Sequence, residues 1–187
     1  MPPGHARCST SGMGSIIERT DRSRAEHLSK MLEILQAADT VVLNTYAANG
    51  AIAGRPMALV DRDDDGTLYL TTAIGSTKAT EIAADPRVSV SIQTSKGIVV
   101  VDGLAKLSQD RAIIDQLWEE SWRIWYPEGR TSPSIAIVVI EPEHATYWDT
   151  SFGHGLSFLW RAVKARLRGE PVDTNASDVG TIDLRHH

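Results

Sequence analysis

The chain has 187 residues, of which 42% are hydrophobic and 23% charged, and its net charge is −5. This composition predicts a globular domain, and the mixing of acidic with basic residues excludes the basic surface that nucleic acids or anionic membranes require. No apolar run reaches the roughly 18 residues needed to cross a bilayer. Cys8 is the sole cysteine, which excludes an intrachain disulfide and predicts a cytoplasmic location.

The first predicted helix follows a Gly- and Ser-rich segment. Residues 1–22 lack the apolar stretch of a secretory signal, so we predict a mobile N-terminal arm. Ser23 and Glu26 have the spacing of a capping box, and this pattern predicts a helix that runs to about Ala38.

A hairpin is predicted next. The β-branched run at 40–46 is followed by Asn49-Gly50, a strong turn signal, and then by a second strand at 51–60. Pro56 within that strand removes a backbone donor, so we expect an edge, a bulge or a strand end there.

The acidic stretch from Asp61 to Gly66 superficially resembles a calcium-binding loop. Thr72 occupies the position where such a loop needs its bidentate glutamate, so the stretch is interpreted as a solvated turn. His144 and His154 have no neighbouring ligand at a suitable spacing, and no metal site is predicted.

The most informative stretch is a strand at 68–72 that leads through Gly75 into a helix. Ser76 occupies the N-cap position, and the helix is expected from about Lys78 to Asp85. Hydroxyl groups, free backbone N–H groups and one ammonium then converge at a helix start, which is an arrangement that favours phosphate binding.

The second half of the chain is again rich in strand signals. Strands are predicted at 88–93, 98–107, 134–140 and 145–148, and Gly103 predicts a bulge in the second of these. Between them, Ser108 is expected to cap a helix that carries both Trp118 and Trp122 on one face.

These elements predict a mainly β fold with flanking helices, in which six to seven mostly antiparallel strands form a small barrel. We assign the barrel domain to residues 23–150. Residues 151–187 are expected to form a basic amphipathic helix at 156–167 and a tail, both packed on the barrel.

Several short motifs occur in an order that resembles the FMN-binding split barrel of pyridoxamine 5′-phosphate oxidase-like proteins, in particular its general stress protein branch. They are Arg55-Pro56-Met57, Thr72 with Ser76-Thr77-Lys78, Gly103-Leu104-Ala105, Leu117-Trp118, the Trp125 to Gly129 segment, Tyr147-Trp148-Asp149 and the Gly180 to Leu184 ending.

The resemblance implies a homodimer that binds FMN, with FAD as an alternative, at the subunit interface. It further implies that Arg55 contacts the phosphate, that Pro56 and Met57 run past the ring, and that Thr71 and Thr72 reach the polar edge or the ribityl chain. The phosphate would also be held by Ser76, Thr77 and Lys78, and one of the aromatic residues Trp125 and Trp148 would cover the ring from the partner subunit.

The resemblance leaves the activity open. An FMN-dependent oxidoreductase acting on a small molecule is the leading interpretation; a flavin carrier or sensor without turnover, and a haem- or deazaflavin-binding relative, are the alternatives. Thr77 stands where pyridoxamine phosphate oxidases carry a second arginine, and their C-terminal substrate-binding segment is not recognisable, so that particular oxidation is not expected. No catalytic residue is assigned.

Overall fold

The computed structural model describes residues 23–149 and 178–185. The predicted N-terminal arm and the predicted helix at 156–167 therefore lie outside the described residues. The elements are α1 Arg24–Leu35, β1 Thr40–Tyr46, β2 Ile52–Arg62, β3 Leu68–Ala73, α2 Thr77–Ala84, β4 Arg87–Gln93, β5 Gly97–Ser108, α3 Arg111–Leu117, a 3-10 helix Glu120–Ile124, β6 Ile135–Asp149 and β7 Asp178–Asp183.

Six strands close into an antiparallel barrel. Along the sheet the order is β3-β2-β1-β4-β5-β6-β7, and a further pairing between β3 and β6 closes the ring of the first six. One edge of β6 is shared: its first part, Ile135–Ile140, pairs with β3, and its last part, His144–Asp149, pairs with β7. The expected mainly β barrel with flanking helices is thereby confirmed.

The barrel core follows the alternation of the strands. Inward-facing Val, Leu and Ile side chains are almost fully buried, and α1 adds Met31, Ile34 and Leu35 to the same cluster. A second cluster lies outside the barrel wall, where α3 and the 3-10 helix pack Ile114, Trp122 and other apolar groups onto β6. Burial of these apolar faces supplies the main driving force for the fold.

Three local predictions are confirmed. Ser23 and Glu26 form the capping box of α1, which ends at Leu35 rather than near Ala38. The Asn49-Gly50 hairpin joins β1 to β2, and Gly50 has the positive φ of 79° that favours glycine. The register of β5 against β6 shifts between Asp102 and Gly103, which is the predicted bulge.

Pro56 lies at an edge. The pairing of β2 with β3 covers Leu59 to Arg62, so at Pro56 the strand is paired with β1 and not with β3. A proline is tolerated there because one side of the strand needs no ladder donor.

The prediction of two separate strands at 134–140 and 145–148 is wrong, because β6 runs unbroken from Ile135 to Asp149. Pro142 lies between the two predicted strands. It is placed opposite the bulge at Gly103, in the interval where the other edge of β6 changes from β3 to β7. A strand can continue through a proline where pairing is already interrupted.

The helix expected after β5 also differs. Its N-cap is Asp110, whose carboxylate accepts the backbone N–H of Ala112, and α3 ends at Leu117. Trp118 is the extended C-cap residue and Trp122 belongs to the separate 3-10 helix. The two indoles nevertheless meet edge to face, with ring centroids 5.5 Å apart, so they pack together without sharing a helix.

Candidate functional site

The candidate site lies where β2 and β3 separate. Their pairing stops at Leu59 and Leu70, and the chain leaves β3 after Ala73 to begin α2 at Thr77. The N-terminus of α2 is thereby placed beside the part of β2 that carries Arg55 and is paired with β1 but not with β3. We call this region, defined by Thr45, Arg55, Thr72, Ser76, Lys78 and Glu81, the anion site.

Strand alternation directs three of these side chains inward. Arg55 pairs with the buried Leu43 on β1, and Thr45 lies two residues further along the same face of β1. Thr72 follows the buried Leu68 and Leu70 on β3 at the same period of two. The sheet therefore presents two hydroxyls and one guanidinium toward the helix.

Ser76 connects the helix to the strand. Its hydroxyl accepts the backbone N–H of Ala79 as the N-cap of α2, and it lies 3.1 Å from the hydroxyl of Thr72. The backbone N–H groups of Thr77 and Lys78, at the first two helical positions, have no intrahelical acceptor. Together with the positive end of the helix dipole, these groups favour an anion at this point.

Arg55 is held from the protein side by two partners. Its Nη2 lies 2.7 Å from Oε2 of Glu81, and its Nη1 donates to Oγ1 of Thr45. Thr45 in turn donates to the same carboxylate oxygen of Glu81 at 2.6 Å. The hydrogen bond from Thr45 and the pairing with Arg55 lower the pKa of Glu81 despite its burial, so the carboxylate is ionised at neutral pH.

Lys78 is the second cation of the anion site. Burial and the nearby charge of Arg55 lower its pKa, and Glu81 acts in the opposite direction. Among residues 23–149 and 178–185, no acceptor lies within hydrogen-bonding distance of its ammonium group. A half-buried ammonium beside a guanidinium is a site at which a bound anion would be stabilised.

The two threonines of β3 face opposite ways. Thr72 points to the anion site, whereas the Thr71 hydroxyl lies 3.3 Å from that of Tyr126 on the other face of the strand. Burial raises the pKa of the Tyr126 hydroxyl, which therefore stays protonated. The two side chains cannot contact one ligand from the same side of β3.

The remaining predicted contacts are distributed as follows. Pro56 and Thr77 are exposed next to the anion site, whereas the Met57 side chain is buried in the barrel core, so a ligand could meet only the backbone of Met57. Trp125 is 62% exposed at the end of the 3-10 helix. Trp148 is half-buried at the end of β6 opposite to the end that pairs with Thr72.

The structure brings together Arg55, Thr72, Ser76 and Lys78 within one protomer; Trp148 lies at the far end of its strand. Sequence reasoning missed two members of the site, Thr45 and Glu81. Glu81 follows Lys78 by three residues and shares its side of α2. Its place beside the buried Ala79 and Ile82 is a signal that this carboxylate faces the sheet.

Within the ranges that the structure describes, no group of three His, Cys, Asp or Glu side chains is placed to hold a metal ion. His27 instead hydrogen-bonds the hydroxyl of Tyr147 at 2.8 Å, and His144 lies 3.8 Å from Asp183. Over the same residues, no helix is both long and apolar enough to span a membrane.

In this chain six antiparallel strands close into a barrel, and β2 and β3 separate where α2 begins. This architecture places the protein in the split-barrel class. Residues 26–173 match the family model described as pyridoxamine 5′-phosphate oxidase like, and the chain belongs to that family. A search of curated proteins found no significant match.

Three solved structures illustrate the likeness. A putative general stress protein 26 from Jannaschia sp. CCS1 is 23% identical with a TM-score of 0.66, covering 85% of this chain and 99% of its own. The general stress protein 26 from Bacillus anthracis str. Sterne is 26% identical with a TM-score of 0.58, covering 64% and 92%. The general stress FMN/FAD binding protein from Xanthomonas citri is 22% identical with a TM-score of 0.57, covering 66% and 89%.

Proposed function

We propose that this protein binds FMN, with the phosphate of the cofactor held at the anion site. The observation that carries the proposal is the pair of cations Arg55 and Lys78 at the start of α2, where Lys78 has no acceptor among the described residues. Membership in the pyridoxamine 5′-phosphate oxidase-like family and the likeness to an FMN/FAD binding protein support it.

The donor set fits a phosphate group. Arg55 uses one N–H on each terminal nitrogen for Thr45 and Glu81, which leaves further N–H groups of its five for a ligand. Lys78 adds an ammonium, Ser76 a hydroxyl and the first turn of α2 its backbone N–H groups. Hydrogen bonds to a charged phosphate are stronger than those between neutral groups, and strong contacts result where the donor is charged as well.

FMN would supply electron-transfer chemistry that the side chains of the site lack. The protein would bind the phosphate, orient the cofactor along β2 and β3, and keep the buried hydroxyl of Thr72 beside it. We propose on this basis that the protein is a flavin-dependent oxidoreductase with a small-molecule substrate or electron donor.

We further propose that two copies of the chain associate through one face of the barrel. The outward side of β1 and β2 exposes apolar residues where an isolated barrel would carry polar ones; this outer apolar face comprises Val42, Tyr46, Ile52 and Pro56. Ile52, for example, is 71% exposed. The face adjoins the anion site because Pro56 directly follows Arg55, so a second copy seated there would lie close to the cofactor.

The names of two similar structures favour a second function, because they describe a general stress protein and an FMN/FAD binding protein and mention no catalysis. A flavin carrier or sensor without turnover would use the same anion site. Oxidation of NADH or NADPH by the flavin-loaded protein separates the two functions: steady turnover supports the oxidoreductase, and its absence with several electron donors supports the carrier. A cytoplasmic location, which rests on the cysteine content, belongs to the proposal and is tested by cell fractionation.

The absorption spectrum of the purified protein, with chromatography of what heat releases, tests the cofactor. Flavin bands with FMN released at about one per subunit are expected from the proposed site. Released FAD would replace FMN as the cofactor, a Soret band would indicate haem, and a colourless protein that does not bind added FMN would contradict the proposal.

A double variant and a matched control test whether the FMN phosphate binds at the anion site. Replacing Arg55 and Lys78 together by Ala should weaken FMN binding by roughly 100-fold or more, because two charge-assisted contacts are lost. Riboflavin, which lacks the phosphate, should bind both proteins equally weakly. The matched control replaces Arg62 and Lys106, two cations away from the anion site, by Ala and should leave FMN binding unchanged.

A further inference from the structure

Glu81 is a carboxylate in a place where an anion-binding site would be expected to avoid one. Its side chain is only 10% exposed, and it is bound by both Arg55 and Thr45. A buried carboxylate beside a phosphate would oppose binding through its charge. Its position next to Arg55 and Lys78 therefore needs a physical explanation.

The hydrogen bonds between Glu81, Thr45 and Arg55 provide an explanation. Arg55, Thr45 and Glu81 form a closed set of three hydrogen bonds, in which the guanidinium is fixed by two protein partners and its side chain remains 22% exposed. A fixed guanidinium loses less conformational entropy when it binds an anion than a free one would.

The charges of the site give Glu81 a second effect. The charged groups that act on Lys78 are Arg55 of β2, which repels it, and Glu81 of its own helix, which attracts it. With Glu81 ionised, the three groups sum to a single positive charge (two cations and one carboxylate). Without it, two cations would face each other in a half-buried place, and the lysine would release its proton more readily.

We propose that Glu81 is the positioning residue of the anion site: with Thr45 it fixes the guanidinium of Arg55, and its charge offsets the repulsion between Arg55 and Lys78. Glu81 acts through these two cations and does not itself contact the phosphate. The inference rests on the proposed FMN site, and it predicts that Glu81 raises the pH above which Lys78 loses its proton and FMN affinity declines.

The first test needs no flavin. The pKa of Lys78 is measured by NMR on the flavin-free protein, with its signal assigned by its disappearance in Lys78→Gln. Glu81→Gln keeps the shape of the side chain and removes its charge, so the Lys78 pKa should fall below its value in the unaltered protein. The matched control Glu33→Gln, on α1, should leave it unchanged. An equal or higher Lys78 pKa in Glu81→Gln would overturn the inference.

The same variant is then examined by its pH profile. FMN affinity should decline at alkaline pH as Lys78 loses its proton, and in Glu81→Gln this decline should move to lower pH by the same interval as the Lys78 pKa. A purely structural role of Glu81 would lower affinity equally at every pH and leave the position of the decline unchanged, which would count against the proposal.

Thr45→Val tests the positioning of Arg55 without changing any charge, and it also serves if Glu81→Gln does not fold. It should weaken FMN binding roughly fivefold, because the guanidinium of Arg55 loses the hydrogen bond that it donates to the Thr45 hydroxyl. In an Arg55→Ala background the same substitution should have no further effect, since its target is gone. An equal loss in both backgrounds would contradict the inference. Thr67→Val, another buried threonine, provides the control for folding.

Failure of this inference differs from failure of the proposed function. If the unaltered protein binds no FMN, the proposed function is wrong, and the Lys78 titration in the flavin-free protein still decides the role of Glu81. If FMN binds and depends on Lys78 while Glu81→Gln leaves the titration unchanged, only the inference is wrong.

Discussion

The hydroxyl oxygens of Thr72 and Ser76 lie 3.1 Å apart and join the end of β3 to the first turn of α2. Ser76 has a second role, because its hydroxyl also accepts the backbone N–H of Ala79 as the N-cap. The helix start that carries Lys78 is therefore fixed to the barrel wall by one side chain. This contact makes the position of the anion site depend on the strand.

Replacing Ser76 by Ala should affect both stability and binding. The lost cap should lower the free energy of unfolding by about 1 kcal/mol, measured by urea denaturation. FMN affinity should fall as well, because the helix start is no longer tied to Thr72. The matched control is Ser23→Ala, which removes the N-cap of α1: a similar loss of stability with unchanged FMN binding is expected. Equal FMN affinities in both variants would show that Ser76 is only a helix cap.

Much of the local structure was predictable because it depends on neighbouring residues. The capping box at Ser23, the turn at Gly50 and the bulge at Gly103 each follow from the steric and hydrogen-bonding properties of a few adjacent positions. The cations of the candidate site were found in the same way, since Arg55 and Lys78 belong to short motifs.

The features that could not be predicted depend on contacts between segments that are distant in the sequence. Continuation of β6 through Pro142 follows from the exchange of its neighbouring strand from β3 to β7, which no local pattern records. The roles of Thr45 and Glu81 are of the same kind. The two residues are 36 positions apart in the chain and meet only because α2 packs against β1.

Charge placed on the outer apolar face should separate the proposed dimer. Val42, which pairs with Pro56 on this face, is 42% exposed, and Val42→Lys would bury an ammonium between the two copies. Sedimentation equilibrium should show a dimer for the unaltered protein and a monomer for the variant. Asp64→Lys, in the turn between β2 and β3, is the control and should stay dimeric. A monomeric unaltered protein would contradict the proposed association.

Replacing either of two glycines by Ala should have very different effects on stability. A Cβ at Gly103 would collide with the backbone of Glu141 across the bulge, where neither strand can move freely. Gly103→Ala should therefore lower the free energy of unfolding by roughly 2 kcal/mol or more. At Gly75 no atom lies within 4 Å of the added carbon, so Gly75→Ala should change stability by less than about 1 kcal/mol. Equal effects in urea denaturation would argue against the bulge.

The ionisation of Glu81 predicts a specific loss of stability in acid. Hydrogen bonding from Thr45 and the pairing with Arg55 place the pKa of Glu81 below its ordinary value of 4.5 in the folded protein. A carboxyl whose pKa is lowered on folding stabilises the protein fully above its unfolded pKa, and this contribution disappears as the pH falls through the folded pKa. Protonation removes the charge that pairs with Arg55.

Glu81→Gln should therefore be less stable than the unaltered protein at pH 7, by roughly 1–3 kcal/mol, because the partly buried guanidinium of Arg55 loses its charged partner. The difference should narrow steadily below pH 4.5, where the unaltered protein loses the same contribution. Subtracting the two urea-denaturation series cancels the other carboxylates that titrate in acid. Glu33→Gln, which alters a more exposed ion pair, should cost only a few tenths of a kcal/mol. A difference between Glu81→Gln and the unaltered protein that stays constant from pH 7 to 3 would show that the carboxylate of Glu81 is not what stabilises Arg55.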